Sequence, residues 1–185
     1  MPNNGTNTMK CLVIGNSPSV SRDASMIDSY NYIIRNKLPD TQQKTGDKID
    51  MFVSRTRKVN TVLQSPRLMS FKYKQIFCDP DTEPCPGEVL VYHDNIVKMS
   101  LDNIKEETGL RADEKPTIGL IAIFIGLQLF GKITLTGIEY EFNSEYVDTG
   151  HYDDIEYKRV NDHHNLYKEM IYIRKHIREN MIQPI

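Results

Sequence analysis

Residues 116–137 read PTIGLIAIFIGLQLFGKITLTG and form the clearest pattern in the chain. Proline is favoured in the first turn of a helix, so Pro116 predicts that a helix begins here. The apolar side chains that follow recur at spacings of three and four, at Ile118, Ile121, Ala122, Ile125 and Leu129. Gly131 then ends the helix, and residues 133–137 have the alternation of a strand. A buried helix leading directly into a strand is typical of α/β folds.

The N-terminal half adds further strands to this unit. Residues 11–15 are apolar and end in a polar loop, which predicts a buried first strand. A helix is expected at residues 23–29, a charged helix at 95–107 and a final helix at 163–180. Further strands are expected at residues 31–35, 50–54, 75–78 and 89–93. The pattern predicts one Rossmann-like α/β domain over residues 10–185, with a mostly parallel sheet flanked by helices, after a flexible N-terminus at residues 1–9.

Composition narrows the class of protein. A chain of 185 residues with 39% hydrophobic residues suits a single core, and 23 basic against 25 acidic side chains give no basic excess for nucleic acid. The N-terminus lacks an apolar signal region and no apolar run is long enough to span a bilayer, so no stable membrane insertion is expected. Three cysteines, an odd number, favour reduced thiols, and we expect a cytoplasmic protein.

The strand ends indicate where a ligand binds. Doubly wound sheets bind nucleotides at the carboxyl ends of their strands, which here places Gly15, Asn36, the turn around Pro116 and Gly137 near one rim. Residues 15–17, Gly-Asn-Ser, lack the spaced glycines of a dinucleotide fingerprint and the Lys-Ser/Thr ending of a phosphate loop. Taken alone, this turn is a weak signal, and it favours an ordinary strand-to-helix turn capped by Asn or Ser over a ligand site.

Two blocks resemble sialyl motifs L and S of the eukaryotic-type sialyltransferases. CLVIGNSPSV at 11–20 and IDSYNYIIRNK at 27–37 resemble motif L, and residues 46–48 resemble the segment that closes it. KPTIGLIAIFIGLQLFGKITLTGIEYE at 115–141 resembles motif S. The resemblance implies a GT-A-like variant of the fold and a set of donor-binding residues: Asn16, Ser17, Asn36, Thr117, Ile118, Gly119 and Gly137.

A third block, GHYDDIEYKRVNDHHNLYKEM at 150–170, resembles motifs III and VS, closest to polysialyltransferase-like members. His164 and Glu169 have the spacing of motif VS. The resemblance implies that His164 is a general base and that His151 and Tyr152 receive the departing phosphate. Because Glu169 is five residues from His164, about 140° around a helix, we expect it to give structural support rather than to orient the imidazole.

The implied function is transfer of sialic acid, or of a related acid sugar such as Kdo, from a CMP-activated donor to a glycan hydroxyl. Inversion at the anomeric carbon with a histidine base requires no cofactor, and a leaving monophosphate carries too little charge to make a metal obligatory. Phe130 stands where the family has the cysteine that pairs with the motif L cysteine, so Cys11 is expected to stay reduced. The missing membrane anchor and this missing disulfide favour a bacterial or viral origin.

Three alternatives stay open at this stage. His163 is adjacent to His164 and is a second candidate for the base. Asp153, Asp154, Asp162 and the two histidines carry enough ligand atoms for a metal-dependent phosphohydrolase. A CMP-sugar binding module without turnover would use the same donor residues.

Overall fold

The computed structural model describes residues 9–17, 19–36, 45–54, 75–78, 101–138, 140 and 164–185. The predicted strand at 89–93 and the predicted site residues His151 and Tyr152 lie outside these ranges, as do His163 and the aspartates of the possible metal cluster.

Six strands form one sheet. In chain order they are β1 (Cys11–Ile14), β2 (Tyr32–Arg35), β3 (Met51–Ser54), β4 (Gln75–Cys78), β5 (Ile133–Thr136) and β6 (Ile182–Pro184). Their spatial order is β4-β3-β2-β1-β5-β6, and every neighbouring pair is parallel. The predicted α/β, Rossmann-like class with a parallel sheet is confirmed.

Four helices are described, α1 (Ala24–Asp28), α2 (Leu101–Thr108), α3 (Ile118–Phe130) and α4 (Leu166–Arg178). Each of α1, α3 and α4 begins after a residue whose side chain accepts a hydrogen bond from a backbone N–H of the first turn: Asp23, Thr117 and Asn165. Such caps satisfy amides that have no partner within the helix and contribute about 1 kcal/mol each.

The sheet is covered on both faces. Successive side chains of a strand point to opposite faces, so β1 contributes to two clusters. Cys11 and Val13 belong to the larger one, which also contains the buried residues of α3. Leu12 and Ile14 belong to a smaller one with Ile27 of α1. Burial on both faces explains why β1 is a continuous apolar run rather than an alternating one.

Helix α3 is buried more completely than its predicted stripe. All eight residues from Gly119 to Gly126 are buried. One side of the helix lies on the sheet, where a Cβ added at Gly126 would be 3.1 Å from a methyl group of Val13. The other side is covered by α4, with the rings of Phe124 and Tyr172 stacked at a centroid distance of 6.4 Å. The predicted burial of this helix is confirmed. Its apolar residues outside the predicted stripe are explained by the packing of α4 on the side away from the sheet.

Two differences from the sequence-based expectations concern the C-terminus. The last helix begins at Leu166 rather than at residue 163, because Asn165 is the N-cap: its side chain accepts from the Lys168 N–H of the first turn. After the helix, Asn180 adopts a left-handed conformation with φ 58°, and residues 182–184 add an unpredicted edge strand beside β5. A three-residue strand ending in proline has no alternation long enough to be recognised.

Several residues shared with motif L have structural partners. The guanidinium of Arg35 is 1% exposed and donates to the carbonyl oxygens of Thr45, Gly46 and Lys48. The carboxylate of Asp28 accepts from the backbone N–H groups of residues 47 and 48. These bonds hold the segment before β3 against β2, at the same sheet edge as Asn36.

Candidate functional site

The loops after β1 and β5 meet at the carboxyl edge of the sheet. The two strands are neighbours, and the chain leaves β1 towards β2 on one side and β5 towards β6 on the other. The N–H of Gly15 donates to Thr136 O at 2.8 Å, and the N–H of Ser17 donates to Gly137 O at 2.8 Å. A position where strand order diverges is where open α/β sheets form a ligand crevice.

Glycine is required at both of these loops. A Cβ on Gly15 would overlap the carbonyl oxygen of Gly137 and the side chain of Ile138. Gly137 has φ 68°, a conformation that side chains with a Cβ rarely adopt, and a Cβ there would approach Val20 at 2.9 Å. The two loops therefore pack backbone against backbone.

The N-terminus of α3 adjoins this crevice. A Cβ added at Gly119 would be 3.2 Å from the side chain of Ile138. Ile138 thus lies between Gly119 in the first turn of α3 and Gly15 after β1. The amides at a helix N-terminus and the positive end of its dipole favour an anion, so this arrangement places a helix end of suitable charge beside the glycine loops.

Glu169 of α4 holds the residue that caps α3. Its Oε1 accepts from the Thr117 N–H at 2.8 Å, and its Oε2 is 2.6 Å from Thr117 Oγ1. The same hydroxyl oxygen accepts from the Leu120 N–H at 3.1 Å. Burial raises the pKa of Glu169 to about 7, against an opposing effect of the two bonds from Thr117. The expectation of a structural role for Glu169 is supported by these contacts, which join α4 to the first turn of α3.

His164 contacts the same segment. Its Nδ1 is 2.7 Å from the carbonyl oxygen of Lys115, two residues before Thr117. A carbonyl oxygen only accepts hydrogen bonds, so Nδ1 carries the proton and the lone pair of the neutral ring lies on Nε2. The expectation that His164 lies in the first helical turn is wrong, since it precedes the cap Asn165. Among the described residues, the carbonyl oxygen of Lys115 holds the ring.

A second carboxylate links these elements. Glu114 is 6% exposed and accepts from the Asn165 side-chain amide at 2.8 Å, from the Arg111 N–H at 2.7 Å and from Lys168 Nζ at 3.1 Å. The backbone bond from Arg111 and the bond from Asn165 lower the pKa of Glu114 to about 2. It is an ionised carboxylate at neutral pH, and its bonds join residues 111–114 to the start of α4.

The structure brings most of the predicted site residues to one edge. Residues 15–17 and Gly137 form the paired loops, and Thr117, Ile118 and Gly119 form the adjoining helix end. Lys115, two residues before Thr117, is hydrogen-bonded to His164 through its carbonyl oxygen. Asn36 follows β2, the next strand along, and its Oδ1 is buried without a hydrogen-bond partner. Cys11 is a free buried thiol, and burial raises its pKa above the ordinary range.

Sequence reasoning missed Glu114 and Lys115. Both lie in the polar stretch RADEK at 111–115, where a charged residue is ordinarily solvent-exposed. No pattern within this stretch distinguishes the buried Glu114 from the exposed Asp113 beside it.

Within the described ranges, no three His, Cys, Asp or Glu side chains are grouped so that they could hold a metal ion. No helix in these parts of the chain is long and apolar enough to cross a membrane.

Comparison with known proteins identifies structural neighbours. A scan of protein-family models and a search of curated proteins found no match. Among solved structures, a mammalian sialyltransferase in complex with Gal-beta-1-3GalNAc-ortho-nitrophenol is similar with a TM-score of 0.60 and 15% identity, over 95% of this chain and 68% of that chain. A sialyltransferase from Campylobacter jejuni, in complex with the substrate analogue cytidine-5'-monophosphate, has a TM-score of 0.57 and 14% identity, over 95% and 79%.

A monofunctional alpha-2,3-sialyltransferase from the same bacterium has a TM-score of 0.53 and 20% identity, over 100% of this chain and 79% of that chain. At these identities the likeness establishes the fold that the chain shares with them, the GT-A-like form of the α/β sheet.

Proposed function

We propose that this protein is a glycosyltransferase that moves sialic acid, or a related acid sugar, from a CMP-activated donor to a glycan hydroxyl. One observation carries the proposal. The glycine loops after β1 and β5 pack against each other and beside the N-terminus of α3, and His164 is hydrogen-bonded to Lys115, three residues before that helix begins. An anion site and a histidine base on one edge are what transfer from a sugar phosphate requires.

The donor would bind across the paired loops and the helix end. Thr117 already uses its N–H and hydroxyl with Glu169, so we assign phosphate binding to the next two amides, Ile118 and Gly119. Asn16, Ser17 and Gly137 would border the ribose, and the buried Oδ1 of Asn36 would gain a partner from the nucleoside. The Campylobacter structure with cytidine-5'-monophosphate supports a cytidine nucleotide as the ligand of this fold.

His164 would act as the base. The acceptor hydroxyl must lose its proton as it attacks the anomeric carbon, and a neutral imidazole accepts that proton near pH 7. Because the Nδ1–H group is hydrogen-bonded to the carbonyl oxygen of Lys115, the ring nitrogen that accepts the proton is Nε2. The same carbonyl stabilises the imidazolium that forms. His151 and Tyr152 remain proposed for the departing phosphate on the resemblance alone, and no cofactor is required by these steps.

The experiment measures CMP release and sugar transfer from CMP-sialic acid to galactosides in EDTA, with CMP-Kdo as a competing donor. The His164→Ala variant should lower kcat by about 100-fold or more, the effect typical of a lost general base. His176→Ala is the matched control, because His176 lies in α4, the helix that follows His164, and its Nδ1 also contacts a backbone carbonyl oxygen, that of Tyr172 at 2.9 Å.

The outcomes separate the alternatives. An unchanged rate in His164→Ala with loss in His163→Ala would assign the base to His163. Activity that disappears in EDTA and returns with a divalent metal would favour the phosphohydrolase. Binding of CMP without release from either donor would leave a binding module and would refute the proposal.

A further inference from the structure

Two consecutive residues of the segment before α3 hold two consecutive residues at the start of α4. Glu114 accepts from the side-chain amide of Asn165 at 2.8 Å. Lys115, the next residue, accepts from His164 Nδ1 at 2.7 Å through its carbonyl oxygen. The partners are 51 and 49 positions apart in the chain, so the two bonds form a tertiary clasp.

The first of these bonds acts on the cap of the helix. Asn165 has non-helical backbone angles, φ −100° and ψ 79°, and its Oδ1 accepts from the Lys168 N–H. Its amide nitrogen is therefore the group that Glu114 holds. Fixing both ends of this side chain fixes the direction in which the chain enters the helix, and His164 is the residue immediately before.

Charge strengthens this contact. Glu114 also accepts from Lys168 Nζ at 3.1 Å and lies 3.3 Å from Arg111 Nε. Its carboxylate is almost fully buried, whereas the neighbouring Asp113 is 74% exposed and contacts only the similarly exposed Arg111 among the described ion pairs. Hydrogen bonds to a buried ionised acceptor are stronger than those between neutral groups.

We propose that Glu114 is a positioning residue for the base: by holding Asn165 it keeps the His164 ring with Nδ1 on the carbonyl oxygen of Lys115. The catalytic part of this inference rests on the proposed function. Without Glu114 the backbone before α4 becomes more mobile, and the His164 ring populates both neutral tautomers. In the Nε2–H tautomer, Nε2 cannot accept the proton of the acceptor hydroxyl.

The test reads the His164 ring directly. Two-bond 15N–1H correlation spectra distinguish the Nδ1–H from the Nε2–H tautomer, and the His164 signal is assigned by its loss in His164→Gln. We expect the Nδ1–H form in the native protein and a mixture of tautomers in Glu114→Ala. His176 serves as the internal reference, because its own carbonyl partner lies within α4 and its signal should not change.

Asn165→Asp provides a second route should Glu114→Ala fail to fold. Aspartate keeps the cap on Lys168 but replaces the donor to Glu114 by an oxygen, so it removes the same bond and should produce the same His164 spectrum. Asp113→Asn is the control for charge near this segment and should leave the spectrum unaltered. A native His164 spectrum in both Glu114→Ala and Asn165→Asp overturns the proposal.

Kinetics separate this inference from the proposed function. In the transferase assay Glu114→Ala should lower kcat by roughly 10- to 100-fold with the KM for the CMP-sugar changed by less than about threefold, the result of a misplaced base with an intact donor site. A fall in donor affinity with unchanged kcat would overturn the positioning role. A changed His164 spectrum in a protein that transfers no sugar would sustain the clasp and refute the proposed activity.

Discussion

Glu169 should make the stability of this protein depend on pH in an unusual direction. Its folded-state pKa is about 7, raised by burial from the ordinary 4.5. Between these values the folded protein binds more protons than the unfolded chain. The free energy of unfolding must therefore fall as pH rises from 4.5 to 7 and then level off. Each tenfold difference in proton affinity corresponds to about 1.4 kcal/mol, so this one carboxyl lowers stability by about 3 kcal/mol above pH 7.

The Glu169→Gln variant isolates this effect. In the structure Thr117 donates both bonds to the carboxylate, one from its N–H and one from its hydroxyl. A protonated Glu169 and a glutamine both carry hydrogen at the second position, so in both the Thr117 hydroxyl would accept there while the other oxygen still accepts from the N–H. The variant should therefore equal the native protein near pH 4.5 and exceed it by about 3 kcal/mol at pH 8, where the native carboxylate is buried and ionised.

Urea unfolding followed by circular dichroism at half-unit steps from pH 4.5 to 8.5 measures the difference between the two proteins. Taking the difference removes the contributions of all other titrating groups. Glu106→Gln is the matched control, since it makes the same substitution at an exposed glutamate in α2 and removes no buried carboxyl. A difference that stays constant over this range, or a variant less stable than the native protein at pH 8, would show that the reasoning about Glu169 is wrong.

Further predictions concern stability and reactivity. Gly15→Ala should destabilise the fold by at least about 2 kcal/mol in urea unfolding, because its Cβ overlaps the backbone of Gly137. Gly109→Ala should lower the free energy of unfolding by only about 1 kcal/mol, because a Cβ at residue 109 meets no other atom and only the φ of 69° is unfavourable. Equal losses of stability in the two variants would contradict the steric argument. The lowered pKa of Glu114 stabilises the fold above pH 4.5, so the difference between the native protein and Glu114→Gln should shrink as pH falls from 4.5 towards 2. Cys11 is 1% exposed, and peptide mapping after iodoacetamide treatment should find it unmodified until denaturant is added.

The parallel sheet was predictable because its signals are local. The apolar run of β1, the apolar helix ended by Gly131 and the strand that follows it are each contained within a short window of sequence. The glycines at 15 and 137 could be placed at strand ends for the same reason. Their direct packing could not, because it depends on β1 and β5 becoming neighbours in the sheet.

Several residues of the candidate site were named from the sequence, but their contacts were not, and Glu114 and Lys115 were missed altogether. His164 was identified by resemblance, yet the sequence placed it inside a helix that in fact begins two residues later. The group that orients it, the Lys115 carbonyl, is a backbone atom, and any residue type at that position supplies the same acceptor. No side-chain pattern can reveal such a partner.

The amino-acid order was sufficient for the α/β class and for the helix and strand positions around residues 11–36 and 116–137, and it placed the loops of the proposed donor site at one edge of the sheet. It was not sufficient for the two carboxylates that organise that edge. Glu114 and Glu169 reach partners 51 and 52 positions away, and their burial exists only after α4 has packed beside α3. Periodicity and capping act over a few residues, whereas the desolvation that raises the pKa of Glu169 and the clasp at Glu114 arise only from the folded chain.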